Sequence, residues 1–245
     1  MIQRIAHFFG YELNKLPAPG LPKDFDEEKI KLVKTVAPYT MTGPERIFVL
    51  NEAVKYIIEN NIEGDFVECG VWKGGSTLAM ALTLEKLNVT GRQLYLYDTF
   101  EGMSEPTDLD KDLNNKAADE LLKTNNKETS SIWAFSGINE VKKTMSLSKY
   151  NPANIFYVQG KVEDTLPESS HNKIALLRLD TDWYESTKIE MELLFPRLVT
   201  GGVLIIDDYG HWQGAKKAVD EYIAANKLKI LLNRIDYTGR IAIKL

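Results

Sequence analysis

Residues Asp65–Thr77 read DFVECGVWKGGST. A short apolar run, Phe66–Cys69, is closed by a glycine-rich turn, and a helix is predicted to start near Ser76. Such a turn lets a ligand approach the backbone, and the helix N-terminus behind it carries partial positive charge. The spacing is not G-x-G-x-x-G, and no Walker lysine follows a G-x-x-x-x-G, so dinucleotide and triphosphate binding are both weakened.

The same rhythm continues downstream. Leu94–Tyr97, Ile155–Val158, Ile174–Leu179 and Val203–Ile206 are further apolar runs of strand length, with helices predicted near Ser186 and Gly214. Nearly continuous apolar strands are those buried on both faces of a parallel sheet wrapped by helices. Right-handed crossovers then leave few topologies beyond the doubly wound sheet. Two last runs, Leu228–Leu232 and Ile241–Ile243, are joined by Asn233–Arg240, short enough for a hairpin. The expected fold is therefore α/β: a doubly wound, mostly parallel seven-stranded sheet with an antiparallel C-terminal hairpin.

Upstream, Ile47, Leu50, Ala53, Val54 and Ile57 repeat at helical spacing after Gly43-Pro44, which predicts a helix to about Asn60. Pro17-Ala18-Pro19-Gly20 and Pro22 mark a linker, and Asp24–Pro38 reads as helical or irregular. His7, Phe8 and Phe9 suit a short helix packed on the domain or on a second subunit. Residues 1–60 are thus expected to form an N-terminal helical arm and 61–245 the main domain. Within the latter, 103–154 far exceeds the length a crossover needs and begins as a polar stretch rich in Asp, Asn and Lys. It is expected to be an insertion, either a solvated excursion or a lid over the strand ends.

The 245 residues are 44% hydrophobic and 27% charged, which excludes a disordered tail or a collagen-like fibre. A formal net charge of -5 argues against broad nucleic-acid binding, which needs clustered positive charge. The single cysteine, Cys69, excludes an intramolecular disulfide and a cysteine-rich zinc site, and three histidines leave little room for a histidine cage. No apolar stretch approaches the ~20 residues of a membrane span, and the N-terminus lacks a signal-peptide core. A cytoplasmic protein is expected.

Acidic residues gather where predicted strands end. The second ends in Tyr97-Asp98, where a carboxylate can accept from ribose hydroxyls, although it lies 28 positions after Gly70 rather than the usual ~20. The fourth ends in Asp180-Thr181-Asp182, the fifth in Asp207-Asp208. Neighbouring strands lie about 4.8 Å apart, so carboxylates at adjacent tips must crowd and repel. A hard divalent cation removes that cost, and oxygen-only donors favour Mg²⁺, Mn²⁺ or Ca²⁺. Helix capping by Asp182, Asp207 or Asp208 is the competing explanation. Arg178 interrupts the fourth strand and is expected to pair with an acid near the sheet end. His211 and Trp212 follow the aspartate pair, within possible reach of a substrate.

Six stretches together resemble the macrocin O-methyltransferase family (the TylF/MycF group), a branch of the class I S-adenosylmethionine-dependent methyltransferases. They are YTMTGPER (Tyr39–Arg46), DFVECGVWKGGST (Asp65–Thr77), YDTFEG (Tyr97–Gly102), GKVEDTLP (Gly160–Pro167), LRLDTDWY (Leu177–Tyr184) and GGVLIIDDYGHWQGAKKAVDEY (Gly201–Tyr222). The resemblance implies a Mg²⁺-dependent O-methyltransferase moving a methyl group from S-adenosylmethionine to a hydroxyl of a sugar or glycosylated small molecule. It implies that Glu68, Gly70 and Ser76 hold the methionine part of the donor, and that Asp98 binds the ribose with Phe100 nearby. Gln159, Gly160, Val162 and Glu163 would surround the adenine, and Thr40, Met41 and Thr42 would fold over the donor. Asp180, Asp207 and Asp208 would ligate the metal, with Asp182 as general base. The expected partners are a small-molecule glycoside or sugar and a further copy of the chain, as a homodimer or higher homo-oligomer. Two alternatives stand beside this reading: a nicotinamide-dependent sugar oxidoreductase, and a non-catalytic sugar- or nucleoside-binding module.

Overall fold

The computed structural model describes residues 20–245, so the expected helix around His7, Phe8 and Phe9 lies outside the described residues. One sheet contains β1 (Asp65–Cys69), β2 (Leu94–Asp98), β3 (Ile155–Gln159), β4 (Ile174–Leu179), β5 (Leu198–Ile206), β6 (Asn233–Arg234) and β7 (Arg240–Ile243). Their spatial order is β3-β2-β1-β4-β5-β7-β6. The first five strands pair in parallel, whereas β7 runs antiparallel to both β5 and β6. The order reverses at β1, so the crevice beyond the tips of β1 and β4 is the switch point at which such sheets bind ligands.

The helices are α1 (Glu27–Val36), α2 (Pro44–Glu59), α3 (Gly75–Lys86), α4 (Ala118–Lys123), α5 (Ile138–Met145), α6 (Val162–Thr165), α7 (Tyr184–Leu193) and α8 (Gln213–Ala225). The Asp26 side chain accepts from the Lys29 N–H and caps α1. Pro44 opens α2 at a position where its missing N–H costs nothing. The buried side of α2 carries Ile47, Leu50, Ala53, Val54 and Ile57, the residues whose spacing predicts the helix.

Alternation along the strands feeds two cores. Phe66, Leu94, Leu96, Leu176, Val203 and Ile205 pack with side chains of α1, α2, α3 and α5. Val67, Cys69, Leu177, Leu179, Leu204 and Ile206 pack with those of α6, α7 and α8 on the other face. The helices of the N-terminal arm thus share a core with the sheet.

One expectation is corrected. The run Leu228–Leu232 is not a strand; the sixth strand is the exposed pair Asn233–Arg234, which meets Arg240 and Ile241 of β7. Leu228, Ile230 and Leu232 instead pack, partly buried, against the core of the α6–α8 face. Their apolarity serves the passage of the chain from the helix layer to the sheet edge, which periodicity cannot distinguish from a short strand.

The insertion 103–154 contains α4 and α5 and builds a third core, in which Ala118 and Leu122 meet Trp183, Trp212 and Ala215. Asp110, fully buried, accepts from the Tyr184 N–H at 2.7 Å and from the Thr107 N–H and hydroxyl at 2.7 and 2.9 Å. It thereby caps α7, whose own preceding residue Trp183 supplies no side-chain cap. Among the described residues, no helix is long and apolar enough to cross a membrane.

Leu50→Ala should lower the stability of one cooperative unfolding transition by about 2–5 kcal/mol, because a buried leucine leaves a cavity in the shared core. Urea denaturation followed by circular dichroism measures this. Two separate transitions, with only the first shifted, would show that the arm folds apart from the sheet.

Candidate active site

The parallel register of β1 against β4 sets Glu68 opposite Arg178, and that of β4 against β5 sets Arg178 opposite Ile205, two residues before Asp207. Arg178 is fully buried, and its Nη1 lies 2.5 Å from Glu68 Oε1 and 2.7 Å from Asp180 Oδ2. Its Nη2 lies 2.6 Å from Asp207 Oδ1. Arg46, at the start of α2, donates to the other Asp207 oxygen and places its Nε 3.0 Å from Asp236 Oδ2 on the β6–β7 turn. Thr238 in the same turn donates its hydroxyl to the Asp207 carbonyl at 2.7 Å. Burial alone would lower the pKa of Arg178, but the Asp180 and Glu68 carboxylates outweigh it and raise it. Arg178 thus performs the acid pairing expected of it, with three acids rather than one.

Asp180, Asp207 and Asp208 converge: each offers an oxygen, and these lie within 4.8 Å of one another. Asp208 Oδ2 is buried without a hydrogen-bond partner. Burial, with the charges of Asp182 and Asp180, pushes the Asp208 carboxyl well above its ordinary range. Asp182 is raised to about 7, first by burial and then by its acidic neighbours. It is held in the left-handed region, with φ of 68°, between β4 and Trp183, whose indole N–H donates to the Ser104 carbonyl at 3.0 Å. An orphaned buried oxygen amid an excess of carboxylates over guanidiniums, with oxygen-only donors, is a donor set that suits a hard divalent cation.

A cavity of about 350 Å³ runs from this cluster to the turn after β1. Asp180, Asp182, Asp207 and Asp208 line one end. Gly70, Ser76 and Asp98 line the other, together with Thr40, Met41 and Thr42 from the loop before α2. Gly160, Val162 and Glu163 complete the wall, with Glu163 accepting from the Ser186 hydroxyl at 2.6 Å.

Local backbone geometry explains the turn. Gly70 has φ of 80°, and a Cβ there would meet the Asp180 carbonyl oxygen at 1.9 Å, so the tips of β1 and β4 close only around glycine. At Gly75 a Cβ would meet the Tyr39 carbonyl oxygen at 2.5 Å, and this closeness brings Thr40 and Thr42 within 3.3 Å of the Ser76 hydroxyl.

Three predicted residues are not on the cavity wall. Glu68 lies beneath it, held by Arg178 and the Thr77 hydroxyl, and burial raises its carboxyl to about 7. Phe100 is buried in the core of the α1–α3 face, and Gln159 sits outside with its amide 3.4 Å from the Thr99 carbonyl. Asp98 lines the cavity, yet it accepts the N–H groups of Val71 (2.6 Å), Trp72 (3.0 Å) and Phe100 (2.7 Å). The structure therefore gives it a role in shaping the turn.

Arg46 and the Tyr237-Thr238 turn were missed as site residues, although both line the cavity. Arg46 closes the YTMTGPER stretch, where nothing local marks it as a site residue, and no local signal marks the hairpin turn, which tertiary pairing alone brings to the site. His211 and Trp212 line the cavity as well. The His211 ring contacts that of Trp212 edge-on at 5.0 Å, and burial lowers its pKa.

A model of the macrocin O-methyltransferase family (TylF) matches residues 21–242. The 8-demethyl-8-(2,3-dimethoxy-alpha-L-rhamnosyl)-tetracenomycin-C 4'-O-methyltransferase of Streptomyces olivaceus is 32% identical over 201 residues, covering 82% of this chain and 74% of that protein. Demethyldecarbamoylnovobiocin O-methyltransferase of Streptomyces niveus is 33% identical over the same length and coverage. Among solved structures, the O-methyltransferase NovP superposes with a TM-score of 0.73 at 31% identity, over 84% of this chain and 82% of that one.

The raised carboxyls carry a stability consequence. A carboxyl that binds its proton more tightly folded than unfolded, as the raised Asp208 carboxyl does, costs the fold stability as pH rises above about 4, the unfolded value. With EDTA present, Asp208→Asn should therefore raise the melting temperature at pH 8 and leave it nearly unchanged at pH 4. Equal shifts at both pH values in a thermal melt would refute the crowding.

Proposed function

We propose, because the chain belongs to the macrocin O-methyltransferase family and is an S-adenosylmethionine-dependent O-methyltransferase, that its acceptor is a hydroxyl of a sugar or glycosylated small molecule and that it works with Mg²⁺. Family membership disposes of the oxidoreductase and binding-module alternatives. The observation that supports the metal is the convergence of Asp180, Asp207 and Asp208, with a buried Asp208 oxygen left unpartnered. The acceptor class is supported by the names of the relatives, one of which acts on a rhamnosyl tetracenomycin.

Asp180, Asp207 and Asp208 would hold the cation, while Arg178 and Arg46 keep the Asp207 carboxylate in place. The Gly70 turn, Ser76 and the Thr40–Thr42 loop would hold the donor against the N-terminus of α3, with Glu68 below. When bound, the donor supplies an activated methyl group and the cation supplies Lewis acidity that makes an acceptor hydroxyl easier to deprotonate. Asp182 takes the hydroxyl proton on a carboxylate oxygen; burial, the largest cause of its raised pKa, favours holding that proton. Trp183, the next residue, is pinned to the insertion through the Ser104 carbonyl. The insertion's tryptophan-rich core beside Asp182 excludes water from that side of the site.

Release of S-adenosylhomocysteine, with a panel of glycosides including methyl α-L-rhamnopyranoside, tests this reading. Activity should require a glycoside and disappear with EDTA. Asp182→Asn should lower kcat by about 10²–10⁴-fold while Mg²⁺ still binds by calorimetry. Asp180→Asn should weaken Mg²⁺ binding as well. Full activity in EDTA sinks the metal; full activity of Asp182→Asn sinks the base.

A further inference from the structure

Arg178 is assigned to neither ligand, yet it touches the residues expected to hold both. Its Nη1 reaches Glu68 at 2.5 Å and Asp180 at 2.7 Å; its Nη2 reaches Asp207 at 2.6 Å and donates to the Thr42 hydroxyl at 2.8 Å. These partners come from β1, the tips of β4 and β5, and the loop that carries Thr40 and Met41. Glu68 and Thr42 stand on the donor side, Asp180 and Asp207 on the cation side. A planar guanidinium fixes several directions at once, whereas an ammonium is a single point of charge.

We propose that Arg178 is the positioning residue that sets the donor half and the cation half of this site together, without contacting either ligand. The inference rests on the donor and Mg²⁺ reading above. Loss of the fork releases Glu68 and Thr42 on one side and Asp180 and Asp207 on the other, so it is felt twice. A change at Asp208, which makes no hydrogen bond to Arg178, is felt once.

Calorimetry of the full chain with S-adenosylhomocysteine and with MgCl₂, titrated separately, reads both halves. Arg178→Lys, which keeps the charge, should weaken both ligands by roughly tenfold or more, the range seen when groups that orient metal ligands are removed. Asp208→Asn, at a residue with no hydrogen bond to the guanidinium, should weaken only Mg²⁺. Thr42→Val guards against misfolding of the lysine variant, because it removes one guanidinium contact and leaves every charge in place. It should weaken Mg²⁺ several-fold although Thr42 is no metal ligand. Wild-type affinities in Arg178→Lys, loss of only one ligand there, or unchanged Mg²⁺ affinity in Thr42→Val overturns the proposal. Absence of Mg²⁺ binding in the wild-type chain overturns the metal reading itself, and this inference with it.

Discussion

Five carboxylates occupy the ends of three adjacent strands, and the buried guanidinium of Arg178 is what makes that crowding tolerable. Glu68 belongs to β1, Asp180 and Asp182 follow β4, and Asp207 and Asp208 follow β5. Removing such groups from water disfavours their ionised forms, and mutual repulsion adds to the cost. Asp182 and Glu68 register this directly, each raised to about 7. Arg178 opposes it at the centre, and the pairing exists because the parallel register puts Glu68 and Arg178 side by side. Arg46 extends the same compensation outward, tying Asp207 to Asp236 and hence the start of α2 to the C-terminal hairpin.

The Gly70 end of the cavity is built differently, largely from backbone. Gly70 lets the tips of β1 and β4 close, and the Asp98 carboxylate spends its oxygens on the N–H groups of the turn. The shape of this end is set by hydrogen bonds from main-chain N–H groups, with few rotatable side chains involved. The loop carrying Thr40 and Thr42 then lies directly on the start of α3, where Gly75 offers no side chain to keep it away.

The insertion packs against the carboxylate end of the cavity. Leu109, Leu113, Phe135 and Leu147 are exposed on the insertion, whereas its inner side buries Ala118 and Leu122 against the tryptophans that follow Asp182 and Asp208. Asp110 caps α7 from within the insertion, and Ser104 accepts from Trp183. Asp182, the last of the three residues between β4 and Trp183, adopts a left-handed conformation that a non-glycine residue keeps only when its surroundings hold it.

What the sequence determined by itself was whatever local pattern encodes. Apolar runs of strand length, the helical spacing of Ile47 to Ile57 and the glycine turn after Cys69 were enough for the doubly wound sheet, since burial on both faces leaves a readable signature. The aspartates at the predicted strand ends were legible for the same reason: a charge just past a buried run marks its tip. Leu228–Leu232 misled because apolar side chains pack under a connecting segment as readily as in a strand. Only the tertiary structure decided that Arg178 would serve three acids, that Arg46 and the Tyr237-Thr238 turn would join the site, and that Phe100 and Gln159 would stay off its wall. Those outcomes depend on strand register and on contacts between residues far apart in the chain. Periodicity specifies which face a residue occupies, but not which distant side chain stands opposite it.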